Sequence, residues 1–290
     1  MSEKNFREDR YTLRDGLKLY HRVYENGGSR KTPLLCIHGI TRNSKDFHDF
    51  ASIMQKDRPV ISMDVRGRGK SDYDPEYHNY QIPVYVADMF ELMDHMTIPR
   101  VVVVGTSMGG LIGMAMAAVQ PDRVKAIVLN DVGPVIEQTG IDRIWAYVGK
   151  TAAVRSWGQA ANILKTMNSA NFADYTQEDW LKFADNTFRQ QEDGTLIADY
   201  DPHVGTAVRE SQEAAVPVDM WPLFQSLAEI PILCLRGKLS DILSAETLKK
   251  MAELHPKFTG VTIAHRGHTP DLREEQSVAA INAFLEQIDG

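Results

Sequence analysis

Ser107 stands in Gly105-Thr106-Ser107-Met108-Gly109-Gly110, directly behind the apolar run Val101-Val102-Val103-Val104. Four β-branched residues in a row predict a fully buried strand, and Ile112, Met116 and Val119 recur at helical spacing after the serine. The chain must therefore turn from strand to helix within a few residues. Such a turn strains the backbone of the serine, and flanking glycines tolerate it because they lack a Cβ. The hydroxyl is lifted clear of the sheet at a helix N-terminus. There the Met108 N–H and the positive end of the helix dipole favour negative charge developing on an oxygen. A serine so placed is a candidate nucleophile, but at neutral pH it needs a histidine to take its proton and a carboxylate to hold that histidine.

The elements that must position these groups follow in order along the chain. Tyr11–Leu13 and Leu17–Val23 alternate around Asp15-Gly16, which predicts an opening antiparallel hairpin at a sheet edge. Pro33–Ile37 is a buried strand broken at His38-Gly39. The Ile40 N–H that follows is a candidate second oxyanion donor, while His38 is expected to satisfy loop carbonyls. Val60–Met63 is another strand, leading into Asp64-Val65-Arg66-Gly67-Arg68-Gly69-Lys70-Ser71-Asp72. The glycines and basic residues of that loop do not have phosphate-loop spacing, so Asp64 and Arg66 are expected to pin backbone groups. Pro83–Met96 predicts a helix and Val124–Leu129 a strand that closes at Asn130-Asp131.

Strict alternation of strands and helices to this point predicts a parallel sheet covered on both faces. From Val135 to about Trp221 no strand is evident, and three amphipathic helices follow, the third capped by Thr176. The expected organisation is a core of residues 1–134 and 222–290 with a helical cap, 135–221, inserted into it. Strands at Pro231–Leu235 and Gly260–Ile263 and helices at Ser244–Leu254 and Val278–Ile288 complete the core.

Composition narrows the function. The 290 residues are 43% hydrophobic and 24% charged with net charge −7, which suits a globular protein and argues against nucleic acid or an anionic membrane as partner. The segment MSEKNFREDRYT is charged from its third residue and lacks the apolar stretch of a signal peptide, so a cytoplasmic protein is expected. The two cysteines, Cys36 and Cys234, lie in apolar strand-like runs and are expected to be free and buried. Their spacing supports no metal site.

Ser107, Asp241 and His268 each follow a strand, in the order nucleophile, acid, histidine, which is the order of the α/β-hydrolases and not of the other serine triads. The chain resembles that family over nearly its whole length. The matching residues are His38-Gly39, Asp64-x-Arg66-Gly67-x-Gly69-x-Ser71, Gly105-x-Ser107-x-Gly109-Gly110, Gly237 with Asp241, and Gly267-His268-x-Pro270. The resemblance implies an α/β fold with an eight-stranded, mostly parallel sheet and a cap between strands six and seven. It also implies a serine hydrolase that cleaves a small, fairly apolar carboxylic ester through an acyl-enzyme, without a cofactor. Lactonase, thioesterase and carbon–carbon bond hydrolase activities use the same triad. A receptor or carrier of this fold is the alternative of another class.

Two positions have competitors. His265 lies close to His268 but belongs to the end of the last strand, so His268 is preferred as base. Asp131 ends the sixth strand, where some relatives of this fold carry the acid, but Asp241 is preferred. His21, His48, His78, His95 and His255 are expected at the surface, and Trp145 and His203 are the cap residues expected to meet substrate.

Overall fold

The opening hairpin forms around Asp15 and Gly16, with Gly16 at φ +92°. Strand β1 (Arg7–Thr12) pairs antiparallel with β2 (Lys18–Tyr24). The computed structural model describes residues 5–150, 153–214 and 219–289, with the side chains of 211–214 excepted. Residues 1–4 and 290 of the expected core, and 151–152 and 215–218 of the expected cap, lie outside the described residues. The chain continues through β3 (Leu34–Ile37), α1 (His48–Met54), β4 (Val60–Met63), α2 (Ile82–His95), β5 (Val101–Thr106), α3 (Met108–Val119) and β6 (Val124–Asn130). An insert follows, with α4 (Gln138–Trp145), α5 (Trp157–Asn168), α6 (Gln177–Thr187), β7 (Phe188–Gln190), β8 (Leu196–Ala198), α7 (His203–Ala214) and α8 (Trp221–Ser226). The chain then rejoins the sheet through β9 (Ile232–Gly237), α9 (Ala245–Leu254), β10 (Phe258–Ile263) and α10 (Glu275–Asp289).

The sheet has eight strands in the order β1-β2-β4-β3-β5-β6-β9-β10, and only the pairings made by β2 are antiparallel. Strand β5 is central, and its four valines are fully buried. Alternation divides them between two cores, as a pleat with both faces covered requires. Val101 and Val103 pack with Met89, Phe90, Ile112 and Met116 of α2 and α3. Val102 and Val104 pack with Phe50 of α1 and Ile281 and Phe284 of α10.

The insert has a small core of its own, in which Phe172, Trp180, Phe188 and Leu164 pack together. Thr176 caps α6 as expected, and Asp179 completes a reciprocal capping box. The sequence reading missed the ribbon β7/β8. Its strands have three residues each, too few for alternation to show, and they turn through Gly194 at φ +83°. Beyond the ribbon the insert is sewn to the loop after β4: Gly69 N–H donates to Asp199 O and Asp201 N–H to Gly67 O, both at 2.8 Å.

Cys36 and Cys234 are free and buried. His21 and His255, expected at the surface, are buried as well. His21 lies on β2, which β1 shields from the sheet edge, and His255 Nε2 lies 2.9 Å from Leu227 O. No helix of the described residues is long and apolar enough to cross a membrane.

Candidate active site

The strand-to-helix turn between β5 and α3 holds Ser107 at φ 51°, ψ −114°, a left-handed conformation that a side chain adopts only under constraint. The constraint is local packing. A Cβ on Gly105 would run into the carbonyl of Gly109, and one on Gly109 into that of Ile37, so the N-terminus of α3 can close onto β3 and β5 only with glycine at both places. Ser107 N–H donates to Asn130 O at 3.0 Å, tying the turn to the end of β6.

The two expected oxyanion donors flank this serine. A Cβ on Gly39 would stand 3.8 Å from that of Ser107, and no acceptor among the described residues takes the N–H of Ile40 or Met108. The peptide joining Gly39 to Ile40 is fixed from behind. His38 Nε2 accepts the Val65 N–H at 3.0 Å, which leaves Nδ1 as the protonated nitrogen, 2.7 Å from Gly39 O. Since C=O and N–H of a trans peptide point in opposite directions, this bond aims the Ile40 N–H away from His38. Burial pushes the His38 pKa down to about 3, so the ring stays neutral and Nε2 remains an acceptor. The expectation that His38 satisfies a loop carbonyl is met, and that carbonyl belongs to the donor peptide itself.

Asp64 pins backbone as expected, accepting the N–H of Ser44 at 2.6 Å and of Lys70 at 2.8 Å. Arg66 instead pairs with the buried carboxylates of Asp74 and Asp88.

His268, in the loop after β10, reaches over the sheet with Nε2 3.0 Å from Ser107 Oγ. His265 has no part in this contact. On the other side of the ring, Nδ1 lies 2.8 Å from Asp131 Oδ2, not from Asp241, and this corrects the sequence-based preference. Asp131 is fully buried directly at the end of β6, between β5 and β9, and its carboxylate also accepts the Gly237 N–H at 2.8 Å and the Ser240 hydroxyl at 2.6 Å. Asp241 lies further along the loop after β9 and forms a forked pair with Arg143 of α4, at 2.5 and 2.8 Å. Burial would raise the Asp241 carboxyl, but the Arg143 guanidinium overrides it and holds the pKa below the usual range. The position of Asp131 was legible in sequence. The partner that occupies Asp241 was not, because Arg143 is 98 residues away.

Ser107 and His268 open into a cavity of about 330 Å³ between the sheet edge and the insert. Ile144, Tyr147, Leu164, Met167, Phe172 and Phe183 of the insert contribute to its wall. Trp145 does not, although its neighbours on α4 do, because its side chain leaves the helix on another face. Nor does His203, which is exposed at the start of α7, stacked on Tyr77 and 3.0 Å from Asp201. Both expectations of substrate contact are thus corrected, and Tyr147 is among the lining residues that the sequence reading overlooked.

The fold agrees with the comparisons. The alpha/beta hydrolase fold family matches residues 32–270, and the chain belongs to it. It is a hydrolase of that superfamily. A 3-hydroxybutyrate-oligomer hydrolase from Cupriavidus necator is 32% identical over 275 residues, covering 92% of this chain and 93% of the relative. A 2-(acetamidomethylene)succinate hydrolase from Mesorhizobium japonicum is 26% identical over 256 residues, 87% of either chain. The crystal structure of an alpha/beta hydrolase from Novosphingobium aromaticivorans superposes with a TM-score of 0.91 at 40% identity, covering 99% of this chain and 100% of that one.

Proposed function

We propose that this protein is a serine hydrolase that cleaves a small carboxylic ester through an acyl-enzyme, with the triad Ser107, His268 and Asp131. The observation that carries this reading is the unbroken relay from Asp131 through His268 to Ser107, opening into a walled cavity. In acylation His268 Nε2 takes the Ser107 proton as Oγ attacks the ester carbonyl, and Asp131 holds the ring in the tautomer with the proton on Nδ1 and stabilises the imidazolium. The N–H groups of Ile40 and Met108 receive the oxyanion. The imidazolium then protonates the leaving alkoxide. A water activated by His268 releases the acid in the second half. None of these steps calls for a cofactor.

Residues 135–221 act as a cap whose apolar side chains exclude water and set the size of the acyl or alcohol group. The name of the Cupriavidus relative, a hydrolase of 3-hydroxybutyrate oligomers, supports a short hydroxy-acid ester as substrate class. The test combines a fluorophosphonate with an ester panel that includes the 3-hydroxybutyrate dimer. The probe should label Ser107 stoichiometrically, and Ser107→Ala should lose at least about a thousandfold in turnover while remaining folded. Labelling elsewhere, or an alanine variant that turns over normally, refutes the mechanism. A panel in which the dimer is hydrolysed no better than simple alkyl esters refutes the substrate class.

A further inference from the structure

The loop after β4 places a buried cation behind the oxyanion donors. Arg68 is fully buried, and among the described residues no carboxylate lies within ion-pair distance of it. Two other buried arginines do pair with carboxylates, Arg66 with Asp74 and Asp88 and Arg58 with Asp57 and Asp289, while Arg236 donates to the backbone carbonyls of Leu243 and Lys238. A guanidinium taken out of water without a counter-charge is costly unless its donors are satisfied. Arg68 meets that condition with neutral groups. Nη1 donates to Arg66 O at 2.7 Å and to Tyr85 Oη at 2.8 Å, and the rings of Tyr80 and Tyr85 face the guanidinium at 5.4 and 5.0 Å. Its remaining contacts go to two residues. Nε donates to Ile40 O at 3.0 Å, and Nη2 lies 3.7 Å from Met108 Sδ. One planar group thus touches both residues whose N–H groups flank Ser107.

We propose that Arg68 is a positioning residue for the oxyanion hole, locking Ile40 and Met108 together from behind with a guanidinium that no carboxylate contacts directly. It does not line the cavity. A neutral ester gains little from a charge beyond the donor peptides, whereas the tetrahedral intermediate, with a full negative charge on oxygen, gains from both the charge and the fixed donors. The consequence is confined to the transition state. The inference rests on the acyl-enzyme reading of Ser107.

The experiment compares the parent protein with Arg68→Met and Arg68→Lys, reading kcat and KM on one ester and the affinity of an aryl trifluoromethyl ketone, which adds to the serine as an oxyanion. Arg68→Met should lower kcat and ketone affinity together, by about tenfold to a hundredfold, with KM unchanged within about twofold. Arg68→Lys keeps the charge but cannot span Ile40 and Met108, and should lose about threefold or more in ketone affinity. A folded Arg68→Met with the parent's ketone affinity, or one whose loss is all in KM, overturns the proposal. If Arg68→Met does not fold, Arg68→Lys decides, and parental ketone affinity in that variant overturns it. Failure of the parent to bind the ketone or react with a fluorophosphonate overturns the acyl-enzyme reading, and this inference with it. A reactive parent matched by both variants overturns only the role of Arg68.

Discussion

Two aspartates compete for one histidine, and what surrounds each carboxylate decides between them. Asp131 is fully buried and held by Gly237 N–H and the Ser240 hydroxyl, which aim Oδ2 at His268. Asp241 is already engaged by a forked guanidinium and is about a third exposed. Asp131→Asn should therefore reduce kcat on the order of ten-thousandfold by leaving His268 in the wrong tautomer. Asp241→Asn loses a partly exposed ion pair worth at most about 1 kcal/mol and should change kcat/KM by no more than about fivefold. Steady-state kinetics of the two variants checks this ranking, and the reverse order would restore Asp241 as the acid. Ser107 was legible because glycine and serine mark the turn locally, and His268 because it stands in the loop beyond the last strand. The acid was not, since two strand ends offer aspartates and only the spatial arrangement shows which one is free.

At the level of elements, the same contrast runs through the insert. Three of its helices, α4, α5 and α6, were readable from periodicity and caps while α7 was not, and the face each helix turns towards the cavity depends on how the helices lie on one another. A residue moves about 100° around a helix relative to its neighbour, so Trp145 can miss a cavity that Ile144 and Tyr147 line. Tyr147→Leu should alter the ranking of esters by acyl or alcohol size, with steps of about 1 to 3 kcal/mol per methylene, and Trp145→Leu should leave it unchanged. A chain-length series measured on both variants distinguishes them; a shift with Trp145→Leu alone would mean that the cavity wall lies elsewhere. The short ribbon β7/β8 escaped detection for a related reason. Its pairing is set by the insert core, in which Phe188 and Leu196 are buried, and not by any run of strand-forming residues.

The whole molecule was legible where strand and helix alternate regularly, and the eight-stranded sheet follows that rhythm from hairpin to last helix. Burial of individual histidines was not, because it depends on which strand covers which. His21 meets the Tyr11 ring edge-to-face, neither of its ring nitrogens has a hydrogen-bond partner among the described residues, and burial brings its pKa down to about 4. The unfolded chain takes up that proton below about pH 6.5, so the stability this group confers is complete above that pH and is lost as pH falls towards 4. His21→Phe fills the same space without titrating. The melting temperature of the parent should therefore fall relative to this variant between about pH 6.5 and 4, and parallel curves would show that the ring is not buried neutral. The loop after β9 has a further consequence. Ser240 supports Asp131, Asp241 holds Arg143, and Ile242 O accepts the Glu137 N–H while Gly140 of α4 closes on the same segment. For protein engineering, the exchangeable unit is then not the contiguous insert alone. A chimaera that takes its insert from another hydrolase must take the segment 240–242 with it, because those residues hold the cavity wall at Arg143 on one side and the Asp131 carboxylate on the other.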